Sequence, residues 1–393
     1  MTTDPVAPID RLRALIAGDA ALQDRLAPLF IPEEFNALAI AIAAEHGIAL
    51  DTDQLHNAML SRGEGSDAPL VEAGYPPREW LPTGIASSPQ GADVTWAHFA
   101  GEPLLESFFE TSARRALGLP LNRLMRARSP LAGLIDAPVP DDALMPDGLI
   151  FHLSRCGSTL ASQMIAALPG AIMGSEVPAV DDAVRLDRLD PDLSSDRHVR
   201  ALRAIVAALG RDRSGTARHY VLKLDAWHMM ALPLFRAAFP DTPWVFMYRD
   251  PVEVMVSLAR QSGMTIMADH IPPATFGIAY DPAEPLLPYG ARVLGRICEA
   301  ARAGMTGGGG MLVNYAELPD AVPERMLAHF GIALDAAGEA AMRAASGQDV
   351  KKVGQSFAPD GATKRAEATP ELREAVERHL AAPYAALEAL RLS

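Results

Sequence analysis

From about residue 147 onward, short apolar runs of strand length take turns with stretches of helical period, and this rhythm most restricts the fold. Residues 148–153 (GLIFHL) show no polar face, the pattern of a strand covered on both sides. Residues 219–224 (HYVLKL), 244–248 (WVFMY) and 311–314 (MLVN) read as further strands. Helical patterns over 158–168, 199–209, 229–239, 251–261 and 323–330 separate them, and a last helix spans about 370–390. Strand alternating with helix predicts a parallel sheet with right-handed crossovers and helices on both faces. The expected fold class is α/β, a three-layer α/β/α sandwich. Ligands in such sheets bind beyond the carboxyl ends of the strands, so the residues after each strand are where chemistry is expected.

The N-terminal part has a different rhythm. Leu12, Leu15 and Ile16 share one helical face, and Leu22, Leu26 and Leu29 share another. Pro32-Glu33-Glu34 suits the first turn of a helix that runs through Phe35, Leu38, Ala39 and Ile42 to a stop near Gly47. Asp51-Thr52-Asp53-Gln54 resembles a fresh N-cap. Residues 61–95 are rich in Gly, Pro and Ser (GEGSDAP, GYPP, SSPQGAD) and read as linker and loop. Residues 96–135 read as helical around EPLLESFFETSARRAL, with Trp96, Phe99, Phe108 and Phe109 as core. The expected organisation is a small helical module at 1–62, a linker and helical extension at 63–140, and an α/β domain at 141–393.

Charge narrows the partners. The 393 residues carry a formal net charge of −14, which argues against broad capture of nucleic acid or anionic membrane. A few converging cations and backbone N–H groups still suffice to hold a phosphate. Cys156 and Cys298 make neither a disulfide framework nor a multi-cysteine metal site. The ten histidines show no H-x-x-x-H spacing, so no metal is expected. The opening MTTDPVAPIDRLRALIAGDA lacks a basic end followed by an apolar run. A soluble, cytoplasmic protein is expected.

Ser154-Arg155-Cys156-Gly157-Ser158-Thr159 follows the first strand of the α/β part and opens a helix. Helix-start N–H groups point outward there, and Gly157 lets the backbone approach an anion closely. A Walker A loop ending its glycines at Gly157 would need Gly at His152 and Lys at Ser158, and both are absent. The run instead resembles the 5′-phosphosulfate loop of sulfotransferases that use 3′-phosphoadenosine 5′-phosphosulfate (PAPS): a basic residue, any residue, Gly, then two hydroxyl residues. Arg155, Cys156, Gly157, Ser158 and Thr159 fill those places.

WVFMYRDPVEVMVSLAR resembles the same family's 3′-phosphate segment, with Arg249 at a strand end and Ser257 eight positions on. A strand-end guanidinium and a helical hydroxyl can share one phosphate; Arg249 could equally pair with a carboxylate. LVNYAELPDAVPERMLAHFGI resembles the family's late strand, turn and helix. KKVGQSFAPDGATKRAEA resembles its late cofactor-covering loop, offering Lys351, Lys352, Lys364 and Arg365. The resemblance covers roughly residues 147–370 and implies a P-loop type domain. Further toward the N-terminus, RLRALIAGDAALQDRLAPLF, EEFNALAIAIAAEHGIAL and DTDQLHNAML resemble a Nif11-like leader domain, which implies peptide docking.

The resemblance implies sulfuryl transfer from PAPS to an acceptor hydroxyl or amine on a small molecule or peptide. The product would be 3′,5′-adenosine bisphosphate, with no metal required. Lys223 stands near the end of an apolar strand pattern, where a lysine needs a partner or a task. Glu176, in GSEVP, is the first choice of base, with Asp225 second and His228 third. Two other readings stay open: a P-loop kinase or nucleotide hydrolase, and a non-catalytic nucleotide- and peptide-binding protein.

Overall fold

The computed structural model describes residues 6–60, 69–89, 91–347 and 361–393. The chain groups into two compact units, Met1–Met145 with Val177–Thr216, and Pro146–Glu176 with Ala217–Ser393. The expectation that 141–393 forms one domain is therefore corrected: the stretch from Val177 to Thr216 belongs with the N-terminal unit.

In the first unit the helices Pro8–Ala17, Ala20–Leu26, Pro32–Glu45 and Thr52–Leu60 stand where the apolar spacing puts them. Asp19 starts the second by accepting the N–H groups of Ala21 and Leu22. The expected linker over 61–95 is overturned in part. Strands β1 (Trp80–Ser88) and β2 (Gly91–His98) form an antiparallel hairpin, and β3 (Arg128–Pro130) adds to β2. Trp80, Leu81, Ile85, Val94 and Trp96 are all buried. Within the hairpin, Pro82 and Gly84 sit at a register shift, a place where an irregular strand accommodates them. The indole N–H groups are satisfied by Gln23, 2.8 Å from Trp80, and by Ser129, 2.7 Å from Trp96. The helix expected around 102–117 is confined to Phe109–Leu117. Phe99 and Phe109 are core as expected, whereas Phe108 is exposed. The helices Pro178–Val184 and Ser195–Leu209 complete this unit, with Asp182 accepting the N–H of Ile85 at 2.8 Å.

The second unit is an α/β domain built on five parallel strands: β4 (Gly148–His152), β5 (Ala171–Ser175), β6 (His219–Lys223), β7 (Trp244–Tyr248) and β8 (Gly310–Asn314). Their order is β5-β6-β4-β7-β8. The chain leaves β4 toward one edge and later continues on the other side of it, so β4 and β7 flank the point where the winding reverses. Alternate residues face opposite layers. Ile150, Val221, Val245, Met247 and Val313 meet Leu160, Met164, Met326 and Phe330 in one apolar cluster. Phe151 turns the other way, edge-on to Phe235 at 5.5 Å and to Trp244 at 5.9 Å.

Several elements escape the sequence pattern. β5 (AIMGS) is short and only partly apolar. Leu286–Met305 is a 20-residue helix whose start lies among prolines. The expected final helix is two, Pro370–His379 and Ala381–Leu392, broken at the buried Leu380. The expected helix over 323–330 is a π-helical turn, Val322–Met326, running into Leu327–His329. Among the described residues no helix is long and apolar enough to cross a membrane.

Gly148 opens the central strand under the ring of Phe330, where an added Cβ would lie 2.3 Å from Cδ1. Gly148→Ala is expected to lower stability by about 1–3 kcal/mol through overpacking, read from the urea midpoint. An unchanged midpoint would show that the ring moves aside at no cost.

Candidate active site

The loop after β4 is sharply bent. Ser154 and Arg155 have φ of 43° and 53°, and Gly157 has 85°. Three of four consecutive residues are thus left-handed, and the Ser154 N–H donates to His152 Nδ1 at 3.2 Å. The helix Ser158–Ala166 starts at Gly157 with no side-chain cap, and an uncapped helix start offers backbone N–H groups suited to an anion. Glycine is required at 157 on two counts. Its φ disfavours a side chain, and a Cβ would stand 2.6 Å from Leu318 Cδ1 and 2.9 Å from Tyr315 Cδ2. Arg155 donates to the carbonyl of Gln261 at 2.8 Å. Ser158 is buried and Thr159 half-buried at the helix start.

The second group stands at the end of β7. Asp250 caps the helix Pro251–Arg260 by accepting the N–H of Glu253. Arg249 and Ser257 are both buried. The guanidinium of Arg249 donates through Nε to Glu253 Oε2 at 2.7 Å. Its other side lies on Tyr315, with Cζ 3.7 Å from the ring centroid. Tyr315 follows β8 and is also the ring packed against Gly157. One aromatic side chain thus touches both the glycine turn and the strand-end arginine, so the two segments meet at one place. Lys364 is buried in the helix Gly361–Glu367, whose Arg365 pairs with Glu253. Lys351 and Lys352 lie outside the described residues.

A third group follows β5 and β6. Glu176 has a left-handed φ of 49°, and its N–H donates to the carbonyl of Lys223 at 2.8 Å. The Lys223 ammonium donates to Glu176 Oε1, and His152 Nε2 at the end of β4 lies 3.3 Å from the same oxygen. Burial alone would push the Glu176 carboxyl up, but Lys223 and His152 hold it well below the usual carboxylate range. Burial and Lys223 oppose a charge on His152; Cys156 and Glu176 outweigh them and raise it to about 9. Cys156 is buried too, which favours the thiol, yet His152 and the loop N–H groups lower its pKa. His152 was no candidate from sequence; the available signal was an imidazole closing an apolar strand. Asp225 caps the short helix Ala226–Ala231 in a reciprocal arrangement with His228.

No protein-family model matches the chain. No curated protein matches it. Among solved structures, the chain is similar to sulfotransferase STF9 from Mycobacterium avium, at 15% identity and a TM-score of 0.38, over 63% of this chain and 78% of that one. It is similar also to sulfotransferase STF1 from Mycobacterium tuberculosis H37Rv, at 19% identity and a TM-score of 0.33, over 54% and 76%.

The His152–Glu176 pair makes stability depend on pH. His152 rises from 6.5 to about 9 on folding, so its contribution is complete below 6.5 and is lost as pH climbs toward 9. Glu176 is lowered, so its contribution is present above its ordinary range and is lost as pH falls through and below it. The stability difference between wild type and His152→Gln should therefore shrink on the alkaline side, measured as urea midpoints across pH. A difference that stays flat there would mean that His152 is not held as a cation.

Proposed function

We propose that the chain is a sulfotransferase that moves a sulfuryl group from PAPS to a hydroxyl or amine of a small molecule or peptide. The observation that carries this reading is the contact of Tyr315 with both Gly157 and Arg249. It sets the glycine turn and a buried strand-end arginine against one ring, which supports the reading that they hold opposite ends of one nucleotide. Arg155, Gly157, Ser158 and Thr159 would hold the 5′ end, with Cys156 filling the loop beneath. Arg249 and Ser257 would hold the 3′-phosphate, with Lys364 near them and Lys351 as a further cation. When bound, the donor supplies a sulfuryl group attached to a phosphate leaving group.

The residues of the chain divide the remaining work. Lys223 stands at the end of β6, suited to meeting charge that develops during transfer. Glu176 is the base candidate beside it. Clamped by Lys223 and His152 its carboxylate is weakly basic, and it gains basicity when the Lys223 ammonium turns toward an incoming anion. Asp225, already a helix cap, is the weaker choice. The kinase or hydrolase reading lacks a lysine at Ser158. The helical module at the N-terminus, with its resemblance to a Nif11-like leader, suits docking of a peptide acceptor.

Thermal unfolding with 3′,5′-adenosine bisphosphate tests the nucleotide site. At a ligand concentration about a hundredfold above Kd, the folded state should gain about 2.7 kcal/mol, and Arg249→Ala should abolish the gain. Stronger stabilisation by ATP with magnesium would overturn the assignment. In an assay of labelled sulfate transfer, Glu176→Gln should lower kcat by roughly 100-fold or more. A kcat close to wild type would remove Glu176 as the base.

A further inference from the structure

Arg249, Glu253 and Ser257 follow one another at four-residue spacing, so they share one face of the helix Pro251–Arg260 and its entry. A carboxylate thus stands between the two residues assigned to the 3′-phosphate. It is almost inaccessible, with Glu253 4% exposed. Its Oε2 takes the Arg249 guanidinium, with Nε and Nη2 both at 2.7 Å. Its Oε1 accepts from Arg365, which arrives from 112 residues further along the chain. The helix carrying Arg365 starts directly on this carboxylate, since a Cβ added at Gly361 would lie 2.4 Å from Glu253 Oε1. A second pair, Arg260 with Glu367, joins the same two helices.

A buried carboxylate beside an anion site opposes the anion. A phosphate monoester brings close to two negative charges at neutral pH, and Glu253 alone would cancel the charge of Arg249. We infer that Arg365 is a positioning residue for the 3′-phosphate site. It neutralises Glu253 from the far oxygen, so that Arg249 and Glu253 keep a net positive charge around them and Arg249 keeps its orientation on Tyr315. Arg365 acts through Glu253 and needs no contact with the nucleotide. This inference rests on the proposed roles of Arg249 and Ser257.

The test is calorimetric titration of the full chain with two nucleotides, 3′,5′-adenosine bisphosphate and adenosine 5′-monophosphate, which lacks the 3′-phosphate. Wild type should prefer the bisphosphate. Arg365→Ala should cut that preference roughly tenfold and leave the monophosphate affinity unchanged, while Arg365→Lys should keep most of it. Adding Glu253→Gln to Arg365→Ala should restore the preference, because a neutral amide no longer repels phosphate. An unchanged preference in Arg365→Ala overturns the inference, as does an equal loss for both nucleotides, which would mark a purely structural latch. Failure of Glu253→Gln to restore binding also overturns it, since Arg365 would then touch the ligand itself. If wild type shows no preference for the bisphosphate, the roles of Arg249 and Ser257 fall first. A wild-type preference that Arg365→Ala leaves intact removes only the role of Arg365.

Discussion

The parallel pairing of β4 with β7 sets the distance between the glycine turn after β4 and the arginine after β7, and the rest of the site is arranged around it. Phe151 pairs with Phe246 and His152 with Met247, so the loop after β4 and the arginine after β7 leave the sheet side by side. β8 continues the row on the other side of β7, and its end delivers Tyr315 against both. The end of β8 is itself tied down. Asn314 donates to Glu388 and to the Tyr384 hydroxyl, and Tyr248 donates to Glu388, all from the ends of β7 and β8 to the last helix. Arg391 secures Glu388 in turn. The last helix therefore acts as a brace behind the strand ends from which Arg249 and Tyr315 project.

Charge inside this domain is arranged in short compensated chains. Lys223 and His152 share one oxygen of Glu176, and Arg249 and Arg365 divide the two oxygens of Glu253. In each group one carboxylate stands between two basic side chains, in a protein whose overall charge is strongly negative. A buried cation without a partner is costly, and a buried cation fully cancelled attracts nothing. Sharing a carboxylate between two basic groups partners each of them without a separate acid for each.

How much was legible in advance depends on how local each signal is. Four of the five parallel strands and the first four helices were visible, because an unbroken apolar run or a helical stripe is written into adjacent residues. The loop at Ser154–Thr159 and the Arg249/Ser257 spacing were visible for the same reason. The β1–β2 hairpin was missed because Pro82, Gly84 and the serines mask an alternation that the buried Trp80, Ile85, Val94 and Trp96 satisfy. β5 was missed because five residues, two of them Gly and Ser, carry too little pattern. Asp225 looked like a second acid by its neighbours in sequence, and only its hydrogen bonds to the next turn reveal a cap.

The residue sequence by itself settled the alternation of strand and helix, the glycine at the turn, the absent Walker lysine and the presence of a strand-end arginine with a serine two turns later. These are properties of neighbours along the chain, and backbone geometry reads them directly. Only the tertiary structure decided that Gly157 and Arg249 meet on Tyr315, that His152 joins Glu176 and Lys223, and that Arg365 reaches Glu253. Those contacts connect residues from different strand ends and helices, so their energies depend on sheet order and packing rather than on any local spacing.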